Sequence, residues 1–418
     1  PDPSLDDPSG GPKDGVHFSA GAQAADYQDV QDAVEQQRAP LLETLETLVN
    51  VDSGTGYREG LNDVEAMLTQ HLEALGAQVE THPAKTYGGN TIVGRLQGNG
   101  SRKIMLMIHY DTVFDEGAAT ERAFRIKDGR AYGPGVGDAK GGAAVILHSL
   151  EALESLGFDD YGQVTVVFNP DEEKGSPGSH DLIHELSADQ DAVLVFEPTF
   201  ADPGVDAVTV VTKGINYAFL EVKGRASHAG GAPEEGRNAI MELSHQLLQL
   251  NELDDADKET TLNWTIVEGG VKRNVIPEHA RAEGDMRYFD SSEYQRVLEE
   301  AQAITKNQLI DDTEVEFHLE KGRPPLPDNP QSQQLAEQAQ KIYQELGQTL
   351  QAVEIGGGTD AAYAYHADSD KPAVLESLGL VGGGYHSDQE FVLVDSVVPR
   401  LYLTTRMIMQ LSEDQPQE

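Results

Sequence analysis

Two histidines and a handful of carboxylates in this chain stand where metal chemistry could be built. His109 and Asp111 close the run 104–112 (IMLMIHYDT). Asp138 opens DAKGG, Glu172 and Glu173 lie in NPDEEKGS, Glu197 follows AVLVF, and His386 stands in GYHSD. Residues two apart in an extended chain point to the same face, so Asp111 can take one ring N–H of His109 and leave the other nitrogen free as a ligand. The pairing alone carries no weight. With 72 Asp and Glu in 418 residues, roughly two His-x-acid triplets arise by chance, and the chain has five, beginning at His71, His109, His318, His366 and His386. Each acid taken singly likewise reads as a solvated loop carboxylate.

There are no cysteines, so disulfides and thiolate zinc sites are excluded and any metal rests on His, Asp and Glu. Two imidazoles with three or four carboxylates suit a pair of zinc ions sharing one bridging carboxylate. Paired ions about 3.5–4 Å apart activate a water and polarise a carbonyl. A spare carboxylate must then move the proton from that water to the leaving amine. Of the neighbours Glu172 and Glu173, one ligates and the other serves as base.

What lifts these residues above the background is the elements that carry them. The unbroken apolar run before His109 predicts a strand buried on both faces. Further strands are expected over 78–81, 90–96, 164–169 and 192–196, and helices over 61–75, with Gly76 as its cap, and 143–156. Alternating strands and helices predict an α/β domain with a mostly parallel sheet flanked by helices, whose strand ends build the site. After Lys213 the texture changes. Strands over 217–224, 261–268, 280–288 and 314–319, with helices over 235–250 and 292–308, follow the β-α-β-β-α-β order of a ferredoxin-like unit. The α/β character then returns, with helices over 332–346, 361–366 and 399–411 and a strand over 373–376. The expected division is a flexible acidic leader (1–25), a catalytic domain in two parts (26–212 and 325–418), and an inserted α+β lid and dimerisation domain (213–324). Gly356–Gly358 lack the spacings of a phosphate loop and read as a close backbone approach near the site.

The net charge of −42, from 30 Lys and Arg against 72 Asp and Glu, opposes nucleic-acid and anionic-membrane partners, and no apolar run reaches the length of a membrane span. Such self-repulsion is screened by salt, so a halophilic protein is expected. The chain begins at Pro1 rather than Met, which is read as processing or cloning. Both an exported mature form and the cytoplasm of a salt-accumulating cell fit.

The ordered set HYDTV, GPGVGDAKGG, NPDEEKGS, FEPT, SHAGGAPEEGRNAI, GGGTDAAYA and GYHSD resembles the dinuclear-zinc aminoacylase/carboxypeptidase superfamily, and within it the bacterial glutamate carboxypeptidases. The resemblance covers about residues 27–412. It implies that Asp138 bridges two zinc ions, with His109 and Glu197 completing one site and Glu173 and His386 the other. Glu172 is then the general base and acid, Asp111 the residue that orients His109, and the Asp138–Ala139 peptide cis. In the inserted domain it implies that His228 reaches a partner subunit's site and steadies an oxyanion, and that Asn274, Arg287 and Arg323 hold a substrate carboxylate, with Lys213 and Gly358 as further substrate-side candidates. The stretch 201–208 departs from the glutamate carboxypeptidase pattern and lacks an expected lysine, which weighs against a folate-type preference. The implied function is release of a C-terminal amino acid, glutamate foremost, from peptidyl or N-acyl amides by a homodimer. The alternatives are a dipeptidase, aminoacylase or deacetylase on the same machinery, or a non-catalytic acidic binding protein.

Overall fold

The computed structural model describes residues 20–200 and 205–414. The expected leader falls mostly outside them, but its last residues belong to the helix Ala20–Gln36, so the first described helix starts inside the span read as leader.

The organising element is a six-stranded sheet in the order Gln78–Pro83, Asn90–Gln97, Gln163–Asn169, Lys103–His109, Ala192–Val195, Ala373–Leu375. Asn90–Gln97 runs antiparallel to both its neighbours, and the remaining pairings are parallel. The strand leading to His109 is central, which explains its apolar run. Ile104, Leu106 and Ile108 enter the main core on one face, while Met105 and Met107 enter a second core on the other. With both faces buried, no alternation of polar residues is tolerated.

The helix Lys140–Ser155 begins three residues earlier than the periodicity indicated. It lies so close to the sheet that a Cβ on Gly142 would meet the carbonyl of Phe196 at 2.0 Å. This contact brings the start of the helix, just past Asp138, against the strand end that carries Glu197. A buried strand that periodicity did not indicate, Ala207–Thr212, pairs in parallel with Gln351–Ile355. It sits at the junction where the texture of the chain changes.

From Gly214 the chain forms an antiparallel four-stranded sheet in the order Thr261–Gly269, His279–Tyr288, Gly214–Lys223, Glu314–Lys321. Helices Ala239–Leu250 and Ser292–Ile304 pack on it around a separate core. The first of these starts later than expected because the Asn238 side chain accepts the N–H groups of Ile240 and Met241 and so caps the helix there. The chain re-enters the first domain through Pro324–Pro327, and the helix Pro330–Glu345 opens with Asn329 as its cap. No helix among the described residues is long and apolar enough to cross a membrane.

Candidate metal centre

Five strand-end and loop segments converge at one edge of the central sheet. His109 ends its strand. Glu172 and Glu173 lie in the 3-10 turn after Gln163–Asn169, Glu197 lies two residues past Ala192–Val195, Asp138 lies just before its helix, and His386 sits in the loop between Gly382–Gly383 and Phe391–Leu393.

Asp138 is at the centre. Its Oδ1 is 3.1 Å from Nε2 of His109, and its Oδ2 is 2.8 Å from Nε2 of His386. Nε2 of His109 also lies 3.0 Å from Glu197 and 3.6 Å from Glu172, and Nε2 of His386 lies 3.4 Å from Glu173. The donor atoms fall into three overlapping groups: His109–Asp138–Glu197 and Asp138–Glu173–His386, which share Asp138, and His109–Glu172–Glu173. The Asp138–Ala139 peptide is cis.

Asp111 is bonded to this cluster through both of its carboxylate oxygens. Its Oδ1 accepts the ring Nδ1–H of His109 at 3.1 Å and the amide N–H of Glu172 at 3.1 Å. Its Oδ2 accepts the amide of Glu173 at 3.1 Å and the hydroxyl of Thr55 at 2.6 Å. With Nδ1 protonated toward Asp111, the other ring nitrogen is a bare lone pair. That nitrogen faces carboxylate oxygens, so it needs either a proton or a metal ion between it and them.

The residues therefore fit divalent metal ions. Nε2 of His109, Oδ1 of Asp138 and Oε1 of Glu173 are buried with no hydrogen-bond partner. Burial raises the pKa of Glu197 and Glu173 well above the ordinary glutamate value, and the nearby charge of Asp138 adds to it. Burial also pushes Glu172 up to about 7, against the lowering effect of Arg323 and His109. Burial alone would depress His109, but the charges of Glu197 and Glu172, the hydrogen bond to Asp111 and the nearby Asp138 carboxylate outweigh it and raise its pKa. Burial and mutual repulsion favour the protonated forms of these three glutamates, whereas, against its burial, His109 and His386 hold Asp138 in its charged form; divalent cations would favour the charged form of all four.

The cluster forms the floor of a cavity of about 800 Å³ between the two domains. Tyr217, Ile215 and Arg287 line it from the inserted domain, and Phe200, Ile355 and Gly356–Gly358 from the first. Gly358 is a close approach, since a Cβ there would lie 2.9 Å from Cδ of Arg323. Arg287 is partly exposed and paired with Asp285 at 2.7 Å. Arg323 reaches the cavity wall, but its guanidinium already holds two protein carboxylates, Asp360 at 2.5 Å and Glu172 at 3.2 Å. Lys213 is turned away: its ammonium donates to the carbonyl of Glu259 at 2.7 Å and lies over the ring of Phe289. His228 and Asn274 do not line the cavity either. His228 pairs with Val275 on a short antiparallel ladder of the inserted domain, and just beyond it the Asn274 carbonyl accepts the amide of Ala229 at 2.9 Å, while Nδ1 of the exposed His228 accepts the amide of Gly231.

Three buried acids that sequence reasoning passed over support the cluster. Glu376 accepts the amide of Glu197 at 3.2 Å and the hydroxyl of Thr359 at 2.7 Å, and burial pushes it up to about 7. Glu390 accepts the amides of Gly137 and Asp138 at 2.9 and 3.2 Å. Asp360 accepts from Asn169 at 2.7 Å besides Arg323. Glu376 follows a buried strand, so the strand-end rule could have found it. Glu390 carries no such signal.

A cluster of two imidazoles and four carboxylates at the strand ends of an α/β domain, facing an inserted α+β unit across a cavity, defines a dinuclear metallohydrolase. The chain belongs to peptidase family M20/M25/M40, whose model matches residues 105–410. It is 42% identical over 400 residues to Carboxypeptidase G2 of Pseudomonas sp. (strain RS-16), covering 94% of this chain and 95% of that one. It is 28% identical over 294 residues to the acetylornithine deacetylase of Myxococcus xanthus, covering 66% and 74%. The fold matches the crystal structure of aminopeptidase PepT from Bacillus cereus with a TM-score of 0.77 at 22% identity, over 90% of this chain and 99% of that one. The donor set fits the dinuclear zinc centre of this family, and the same oxygen and nitrogen ligands also suit other divalent ions.

Proposed function

We propose that this enzyme hydrolyses the amide that joins an acyl or peptidyl group to a C-terminal amino acid, with glutamate the favoured residue. The observation that carries the reading is Asp138, with one carboxylate oxygen toward His109 and the other toward His386, and Glu172 beside it. The relation to Carboxypeptidase G2 over almost the whole chain supports the substrate class.

Asp138 is assigned as the bridge, His109 and Glu197 as ligands of one zinc, and Glu173 and His386 as ligands of the other. The bound ions would supply a water of lowered pKa and polarise the scissile carbonyl. Glu172 takes the proton from that water and returns it to the leaving amine nitrogen. Asp111 keeps His109 in the tautomer that presents Nε2. Arg287, the freer of the two arginines, receives the substrate carboxylate, for which its planar fork is suited. Arg323 acts from the wall of the cavity through Glu172.

The chain is read as a homodimer through its inserted domain. Met241 and Leu248 on one helix and Ile266 and Val267 on the outer strand are exposed apolar residues there, and they form the kind of surface that a second copy covers. His228 would then serve the cavity of that copy as an oxyanion donor. A single-chain mass in solution would remove this role from His228.

Glutamate release from N-acylglutamates and from dipeptides ending in glutamate tests the main reading. Glu172→Gln is expected to lower kcat by about 10²–10⁴ while zinc content stays unchanged. Full activity in that variant sinks the mechanism. Acetate release from N-acetyl amino acids in preference to glutamate release would favour the deacylase alternative, which the relation to acetylornithine deacetylase keeps in view.

A further inference from the structure

Away from the catalytic cavity, one other group of side chains has the composition and spacing of a cation site. His148 and Glu151 lie one turn apart on the helix Lys140–Ser155, and His71 faces them from the helix Arg58–Ala74. Nε2 of His71 is 2.7 Å from Oε1 of Glu151, and Nδ1 of His148 is 3.3 Å from Oε2 of the same carboxylate. The two rings meet edge to face with centroids 5.2 Å apart. One donor atom from each of the three residues falls within 4.8 Å of the others.

We propose that His71, His148 and Glu151 bind a divalent transition-metal ion, zinc in the first instance, at a site separate from the catalytic pair. The donor set is two imidazoles and one carboxylate, a combination zinc accepts while keeping a fourth position open. Tetrahedral bonds of about 2.0–2.1 Å separate ligand atoms by roughly 3.4 Å, so shifts of less than an ångström would bring the Glu151 contacts to coordination distances. The surroundings supply the outer partner that metal-binding histidines use. Thr44 Oγ1 lies 2.7 Å from Nε2 of His148 and can accept the ring proton once Nδ1 binds an ion. Nδ1 now has Gln37 Oε1 at 2.8 Å, and that amide has to yield or turn toward the ion. A cavity of about 540 Å³ lined by Thr44, Met67, His71, His148 and Glu151 opens beside the cluster, giving an ion access and room for a further ligand. None of these residues lines the catalytic cavity. An ion here would cross-link helices Arg58–Ala74 and Lys140–Ser155, with Thr44 tying in Arg38–Val49, so its effect falls on stability rather than on turnover.

The zinc-loaded enzyme is titrated with zinc by calorimetry in about 1 M NaCl, where diffuse binding to the acidic surface is screened. Thermal melting and glutamate release are followed in parallel. Wild type is expected to take up a third zinc ion per chain and to melt at a higher temperature when it does. His71→Asn and Glu151→Gln, both at partly exposed positions, are expected to lose that third ion and the accompanying shift while retaining two zinc ions and wild-type activity. Wild type saturating at two ions, or both variants keeping the third, overturns the proposal.

Discussion

Nη2 of Arg323 lies 3.2 Å from the carboxylate of Glu172 and donates to that residue's own carbonyl at 2.9 Å, so one guanidinium grips the same glutamate by side chain and backbone. Its other amino group holds Asp360. Arg323 thereby sets where Glu172 sits and supplies a positive charge beside it. A charged hydrogen bond of this kind contributes about 1.5–3 kcal/mol. Arg323→Gln is therefore expected to lower kcat roughly 10- to 100-fold with little change in KM. A raised KM at unchanged kcat would instead make Arg323 a direct binder of the substrate carboxylate. Steady-state kinetics on one N-acylglutamate separates the two.

Metal removal should cost stability as well as activity, because the cluster buries more carboxylate than its imidazoles and Arg323 can balance. A ligand present at 100 times its Kd stabilises the native state by about 2.7 kcal/mol. Dialysis against chelator is expected to abolish glutamate release and to lower the melting temperature by several degrees, with zinc restoring both. A chelated protein that melts at the holoenzyme temperature would argue that the carboxylates are neutralised some other way.

Glu293 should give the inserted domain an acid-sensitive step. Burial favours its neutral acid, but the bonds from Arg296, Thr260 and Lys258 outweigh that and hold its pKa below the ordinary value of 4.5. Arg296 reaches it at 2.7 Å and Thr260 at 2.7 Å. With the folded pKa depressed, the unfolded chain binds more protons as the pH falls. The contribution is thus fully present above 4.5 and is lost as the pH falls through the folded value. Glu293→Gln is expected to be less stable near neutrality by about 1.5–3 kcal/mol and to lose less stability on acidification. Urea melts from pH 7 to pH 3 measure both, and parallel curves for the two proteins would show that Glu293 carries no linkage.

Salt should stabilise the fold. With a net charge of −42 the chain repels itself, and screening shortens the reach of that repulsion from about 10 Å at 0.1 M salt to about 3 Å at 1 M. The melting temperature is expected to climb between these concentrations. A flat profile would mark the acidity as surface composition without a halophilic role.

Much of the architecture was legible because it rests on local pattern. The apolar run before His109 indicated a two-sided strand, and the alternation from Tyr217 onward indicated a half-exposed one; both elements are present. Element ends were less legible. The helix beginning at Ala239 starts later than its apolar periodicity indicates, since its boundary is set by one side-chain cap at Asn238. The strand Ala207–Thr212 (AVTVVT) carries a short β-branched apolar run that the strand rule could have found; what local pattern does not give is its partner, Gln351–Ile355, some 140 residues further on.

By itself, the sequence determined the donor chemistry and the strand ends that carry it: no thiolates, an Asp two residues after His109 on the same face, and acids following buried strands. These follow from residue type and from the short-range period of strand and helix. The motif resemblance implied that Asp138 is shared between His109 and His386, 248 residues away, but no local pattern did; only the tertiary structure decided that Arg323 belongs to Glu172 and Asp360, and that Glu376 and Glu390 hold up the cluster from beneath. Burial and counter-charge arise where distant segments pack together, and no local period in the chain encodes which segments those are.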